Sequence, residues 1–346
     1  MQSIAALMPP LSGAIIECRI GRDSEPGDFS LRVMSEDNGR DIFSGFNPNW
    51  MLPHDLMVAP LWQKISGFCQ LWSDEKSIIN RHVDTLWMEF DYGASKNGIP
   101  LPCIFFDTPY YENIRSMDLS PCTCSIPKKG DYLQNPYKET ERIIDLAYEC
   151  LLAKSISPAI RNNLLHCLSV LPVNAKIQQI GIMPARQSDS VRVCILIPVK
   201  KVLNYLSDIK ATNHIHLHRI NDMLDIYSEK ILLDLDINTV VSSKIGFEIK
   251  PKAKDLWPAL LDHLLKERLC SKSNHKALLS WPGYSEKFSK IRDIHQISLR
   301  CPNFKDIMNS ILWVRRLNHI KIVHQPGRQL EAKAYLFIGF GWLAKK

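Results

Sequence analysis

The 346-residue chain carries 45% hydrophobic and 23% charged side chains with only 15 Gly and 21 Pro, a globular composition far from disordered or collagen-like chains. Its formal charge of +7 is spread over 43 basic and 36 acidic residues, and the pairs Lys128-Lys129, Lys200-Lys201 and Arg315-Arg316 are scattered, without the basic stripe that a nucleic-acid partner requires. No apolar run approaches the roughly 20 residues of a membrane span and residues 1–10 lack the basic start of a secretory signal, so the expectation is a cytoplasmic protein with neither membrane span nor nucleic acid.

One local pattern recurs along the chain: two runs of β-branched and aromatic residues joined by a turn of Gly, Pro, Asn, Asp or Ser, the signature of a β-hairpin. The first joins residues 14–20 to 29–34. A helical period of about 3.6 follows over 56–72, and a second hairpin joins 85–91 to 102–106 across Gly93 to Gly98. Residues 122–136 are polar, Pro-bearing and without period, which predicts a long loop. Helices are expected over 140–152 and 160–171, then a third hairpin from 177–183 to 191–197, with residues 186–190 as its turn. The fourth hairpin joins 231–237 to 244–249 around Asn238. Helices over 256–269 and 304–317 precede a fifth hairpin, from 319–324 to 332–337 around Pro326-Gly327.

Strands joined by short turns are antiparallel, and ten of them in one open sheet would leave two exposed edges. Closure removes both. The predicted fold is therefore α+β: one domain over 1–346, a ten-stranded antiparallel β-barrel of five ββαα-type repeats surrounded by helices. With helices on the outer face, the inner face is free to be polar and to hold a ligand.

Because alternate strand side chains point the same way, the polar residues that share a face can be read off. Glu17 and Arg19 do so in the first hairpin, and Trp87, Glu89 and Asp91 in the second. Arg192 and Cys194 share a face in the third. Asp234 and Asp236, and on the partner strand Lys244, Gly246 and Glu248, do so in the fourth. In the fifth, His319, Lys321 and Val323 line up, as do Lys333, Tyr335 and Phe337. These are either the solvent faces of half-buried strands or the lining of a shared interior, where charges persist only when paired or bound to a charged ligand. The second alternative requires Lys321, Lys333, Glu89 and Asp234 to face one cavity.

The repeat number and order, with the His319-Ile320-Lys321 and Lys333-Ala334-Tyr335 strands, resemble the aromatic and peptide prenyltransferases of the ABBA or PT-barrel class. The resemblance implies that Arg19, Arg192, Lys244, Lys321, Lys333 and Tyr335 hold an isoprenoid diphosphate. It also implies that Trp87 and Tyr335 shield an allylic cation, and that Glu89 orients the acceptor or takes its proton. The acceptor would be aromatic, an amine or a guanidinium, in a natural product or peptide. The carboxylates Glu89, Asp91, Asp234, Asp236 and Glu248 depart from what a diphosphate alone would want. They could bridge Mg²⁺ to it or receive a cationic acceptor; Asp234-Leu235-Asp236 is too short to define a metal motif.

Two other readings compete. A pentein-like fivefold α/β propeller would use inward carboxylates to hold a guanidino group, with a Cys nucleophile near the C-terminus; the last cysteine, Cys301, lies outside any hairpin. A non-catalytic barrel that binds a peptide or small molecule needs only the charged lining. His214, His216 and His218 alternate as a metal-binding strand would require, but no completing ligand pattern accompanies them, and a polar edge or helix approach between the third and fourth hairpins is the favoured reading. Cys122 and Cys124 form a close pair with no second pair at zinc spacing. The remaining cysteines that sit in apolar runs, Cys18, Cys69, Cys103, Cys150, Cys167, Cys194 and Cys270, read as small buried hydrophobes. No Gly-rich phosphate loop and no Gly-x-Ser-x-Gly elbow occurs.

Overall fold

The computed structural model describes residues 13–23, 25–35, 39–44, 54–96, 99–108, 137–211, 216–285 and 311–342. In chain order the strands are β1 (Ala14–Arg19), β2 (Asp28–Met34), β3 (Thr85–Lys96), β4 (Ile99–Asp107), β5 (Lys176–Ile182), β6 (Val191–Pro198), β7 (Lys230–Ile237), β8 (Val241–Ile249), β9 (Gly283–Ser285), β10 (Ile311–His324) and β11 (Glu331–Trp342). Each neighbouring pair is antiparallel, and β11 pairs both with β10 and with β1. That last pairing closes ten strands into a barrel, and the three-residue β9 adds to one edge of β10 through Gly283 to Ser285.

Local chemistry sets the hairpins. At Pro326-Gly327 the proline fixes its own φ and Gly327 takes a φ of 73°, a backbone region that a Cβ makes costly and that a tight turn needs. Helices connect one hairpin to the next. The main ones are α1 (Pro60–Ser73), α2 (Lys138–Leu152), α3 (Pro158–Ser169), α4 (His216–Tyr227), α5 (Leu256–Lys266) and α6 (Lys272–Ser280). The start of α3 illustrates why: the Ser157 hydroxyl accepts from Ile160 N at 3.3 Å, and Pro158 opens the first turn with no N–H to satisfy.

The apolar core lies between the helices and the outer face of the barrel. Outward strand residues such as Leu86, Met88, Ile104, Phe106, Val193 and Phe247 belong to the same buried cluster as Trp62, Phe68 and Trp72 of α1 and Tyr148 of α2. Alternation therefore sends the intervening side chains of each strand into the lumen.

One expected element differs. Residues 311–317, expected in a helix over 304–317, form the first half of β10, because a short apolar run fits either period and pairing with β11 from Ile311 onward decides it. His216 and His218 stand in α4, in keeping with a helix approach between the third and fourth hairpins, so alternate positions do not share a face and cannot act as paired ligands; His218 is exposed. His214, Cys122, Cys124, Cys301 and the expected loop over 122–136 lie outside the described residues. A single closed sheet also differs from the fivefold propeller. Among the described residues no helix is long and apolar enough to cross a membrane.

Candidate functional site

The hairpin turns gather at one end of the barrel, and there the lumen opens into a cavity of 490 Å³. Lys321, Lys333, Glu89 and Asp234 all line it, together with Glu17, Arg19, Asp91, Arg192, Asp236 and Lys244. Deeper in the barrel a second cavity of 190 Å³ is lined by Trp87, Phe105, Tyr335, His319 and Glu248, and shares Glu89, Arg192, Asp234 and Lys321 with the first. The interior reading of the charged strand faces is thus the one the fold realises: charged groups line both cavities, and Trp87, Phe105 and Tyr335 line the inner one alone.

Among the described residues the mouth holds six cations, Arg19, Arg186, Arg192, Lys244, Lys321 and Lys333, and with Glu248 of the inner cavity the lumen has seven carboxylates, Glu17, Asp28, Glu89, Asp91, Asp234, Asp236 and Glu248. Most are paired. Arg192 forms a fork with Asp236 at 2.7 and 3.0 Å. Lys321 bridges Asp234 and Glu248, the latter at 3.3 Å. Lys333 and the Tyr335 hydroxyl both donate to Glu17. Arg19 stands at the rim, its side chain 54% exposed, and pairs with Glu331 at 2.8 Å. Lys244 is the one lumen cation without an ion-pair partner among the described residues.

Arg186 was invisible to strand alternation. It sits in the β5–β6 turn and reaches down into the lumen, where Nε donates to Asp91 Oδ2 at 2.7 Å and the guanidinium also binds Glu89. A turn side chain has no period to betray it. Consequently Glu89 and Asp91 are not free carboxylates but the two walls of a guanidinium clamp.

Burial and neighbours set the protonation states. Burial, reinforced by Glu248, raises Asp234 to about 6 against the pull of Lys321 and Arg192. For Glu17 burial pushes the other way from its partners, and Lys333 and Lys321 win, holding it at about 2. Burial and then Lys321 lower His319 to about 3, so its imidazole, stacked on Tyr335 with ring centres 4.0 Å apart, is neutral near pH 7. Burial, then Lys333 and Arg192, also lowers Lys244. Gly246 makes the central pair possible: a Cβ there would lie 2.6 Å from Lys321 Cε and 3.1 Å from Asp234 Oδ2.

His319 gives a signed prediction. Its folded pKa lies below the ordinary 6.5, so the unfolded chain binds this proton first, and the stability His319 contributes is present above pH 6.5 and lost as pH falls toward 3. His319→Phe keeps a ring on Tyr335 but cannot titrate. Its melting temperature relative to wild type is expected to rise between pH 7 and pH 4.5; an unchanged difference across that interval would show that His319 is not buried neutral.

Among the described residues no group of three or more His, Cys, Asp or Glu is placed to hold a metal ion. The buried thiols are poor nucleophiles, since burial raises Cys103 to about 12 and Cys194 well above its ordinary value. A comparison with protein-family models finds no match, and neither does one with curated protein sequences.

Proposed function

We propose that the lumen is the reaction chamber of a prenyltransferase of PT-barrel type, moving an allylic isoprenoid from its diphosphate to an acceptor inside the barrel. The observation that carries this reading is the distribution of cations and rings along the lumen, with Arg192 and Lys321 bordering both cavities. Arg186, Arg192, Lys244, Lys321 and Lys333 face the mouth cavity, and Trp87, Phe105 and Tyr335 line the inner one. Breaking the allylic C–O bond leaves both electrons on the diphosphate and a cation on the prenyl carbon, so the chemistry wants fixed positive charge at one end and π faces at the other.

The ion pairs say how such a substrate would be received. Lys244, already unpaired, meets the diphosphate first, and the oxygens then compete with Asp91 and Glu89 for Arg186. Transfer of Arg186 onto phosphate frees Glu89. As the acceptor lone pair forms the new bond to the prenyl carbon, Glu89 takes the acceptor proton. Magnesium, where it takes part, arrives on the diphosphate as part of the substrate, offsetting the carboxylate excess.

A second reading, a non-catalytic barrel for a small molecule or peptide, is favoured by the completeness of the pairing. Release of pyrophosphate separates the two. Incubation with dimethylallyl, geranyl and farnesyl diphosphates, with and without Mg²⁺, is expected to release pyrophosphate above the uncatalysed rate for at least one of them, and more slowly in Glu89→Gln when an acceptor is present. Binding without release in every case would leave only the binding barrel.

A further inference from the structure

The unpaired Lys244 has a counterpart among the acids. Glu17 is held by Lys333, Glu89 and Asp91 by Arg186, Asp236 by Arg192, and Asp234 and Glu248 by Lys321. That leaves Asp28 as the one lumen carboxylate without an ion-pair partner among the described residues. It lines the mouth cavity next to Asp91, where its Oδ1 accepts from the backbone N–H of Tyr92 at 2.7 Å. That donor is neutral and leaves the charge of Asp28 unmatched. Burial, reinforced by Glu17 and Asp91, raises the Asp28 pKa in spite of the bond.

Donor binding enlarges the deficit. When Arg186 moves onto the diphosphate it uncovers Asp91 as well as Glu89, and part-buried carboxylates stripped of their cation are costly. The diphosphate brings only negative charge, so a positive group must enter beside it. Asp91 shows which kind. It holds Arg186 as a fork, Nε on Oδ2 at 2.7 Å and a second guanidinium nitrogen on Oδ1, and a planar guanidinium matches such a fork where a compact ammonium does not. The chain itself thus supplies the clamp with a ligand of this class. The Tyr92 ring, 71% exposed at the mouth, offers a π face to the same planar cation.

We infer that Asp28 and Asp91 anchor a guanidinium-bearing acceptor, which enters the place Arg186 vacates and binds once the diphosphate is seated. This rests on the transfer reading and names the class of its acceptor. Until the diphosphate draws Arg186 away, the chain's own guanidinium occupies the site, so the two substrates reinforce each other's binding. Glu89, uncovered by the same exchange, stays available for the acceptor proton.

Calorimetry on the full chain tests this. The probes are N-acetylarginine methylamide and free arginine, with N-acetyllysine methylamide as the ammonium control. Geranyl thiodiphosphate, in which sulfur replaces the oxygen of the bond that breaks and slows ionisation, serves as the donor substrate. In wild type at least one arginine probe is expected to bind about tenfold or more tightly when the analogue is present, with and without Mg²⁺. The lysine control is expected to gain less, and whichever arginine probe gains more tells a peptide side chain from a free small molecule. Arg186→Met is expected to bind that probe equally well with and without the analogue, and Asp28→Asn to lose most of the gain. A wild-type affinity that the analogue leaves unchanged would overturn the inference, as would an equal gain by the lysine control or a gain that Mg²⁺ abolishes. If the analogue itself fails to bind, the transfer reading falls, and Arg186→Met decides the anchor alone: saturable binding of an arginine probe supports it and no binding overturns it.

Discussion

Lys321→Met is expected to destabilise the barrel by about 3–5 kcal/mol at neutral pH, the range for removing one partner of a buried ion pair. Lys321 is held by Asp234 and Glu248, with side chains only 11%, 5% and 13% exposed. Removing the ammonium leaves Asp234, which burial already holds at about 6, without its main stabilising charge. Its folded pKa then climbs further above the unfolded value. A carboxylate raised in this way contributes stability below its unfolded pKa and loses it as pH rises through the folded one, so the deficit shrinks on acidification. Urea unfolding at pH 7 and pH 5 reads both effects. Adding Asp234→Leu to Lys321→Met is expected to recover part of the loss, since a matched apolar pair can replace a buried ion pair. A deficit below about 1 kcal/mol, or one that is equal at both pH values, would mean that the pair is not buried in the lumen.

Trp72→Ala is expected to cost a similar amount, about 3–5 kcal/mol for a large core aromatic, but without pH dependence between 5 and 7. Trp72 is fully buried on α1, its Nε1 donates to Val83 O at 2.6 Å, and it belongs to the cluster that joins the helices to the outer barrel face. Among the described residues its hydrogen-bond partner is a backbone carbonyl, which does not titrate. The same urea experiment therefore tells the two layers apart: a lumen defect that acid relieves and an outer-layer defect that acid does not. A loss of less than about 1 kcal/mol would place Trp72 outside the packed layer.

Much of this architecture was legible in the sequence because hairpins carry period and punctuation together. Alternation put Glu17, Glu89, Asp234 and Lys333 on the charged faces of their strands, closure followed from the need to remove two sheet edges, and helices on the outer face made the charged faces the lumen. What alternation could not reach was anything off a strand or dependent on tertiary pairing. Arg186 sits in a turn, where no period assigns direction. The start of β10 carried an apolar run that fits helix and strand alike until β11 pairs with it. For His216 and His218 the sequence left strand and helix open, and Leu217, Ile220 and Leu224 form the buried stripe that decides for a helix. The pairing of nearly every lumen cation was likewise hidden, because residue identity shows which charges share a face but not which neighbour each one chooses.

The most direct measurement of the central claim, that the lumen cations receive a diphosphate, is calorimetric titration of dimethylallyl, geranyl and farnesyl diphosphates with and without Mg²⁺ into wild type and Lys333→Met. At least one is expected to bind wild type with saturable heat, more tightly with Mg²⁺, and about tenfold or more weakly to the variant, as loss of one charged hydrogen bond implies. Absence of binding for all three under both conditions would contradict it.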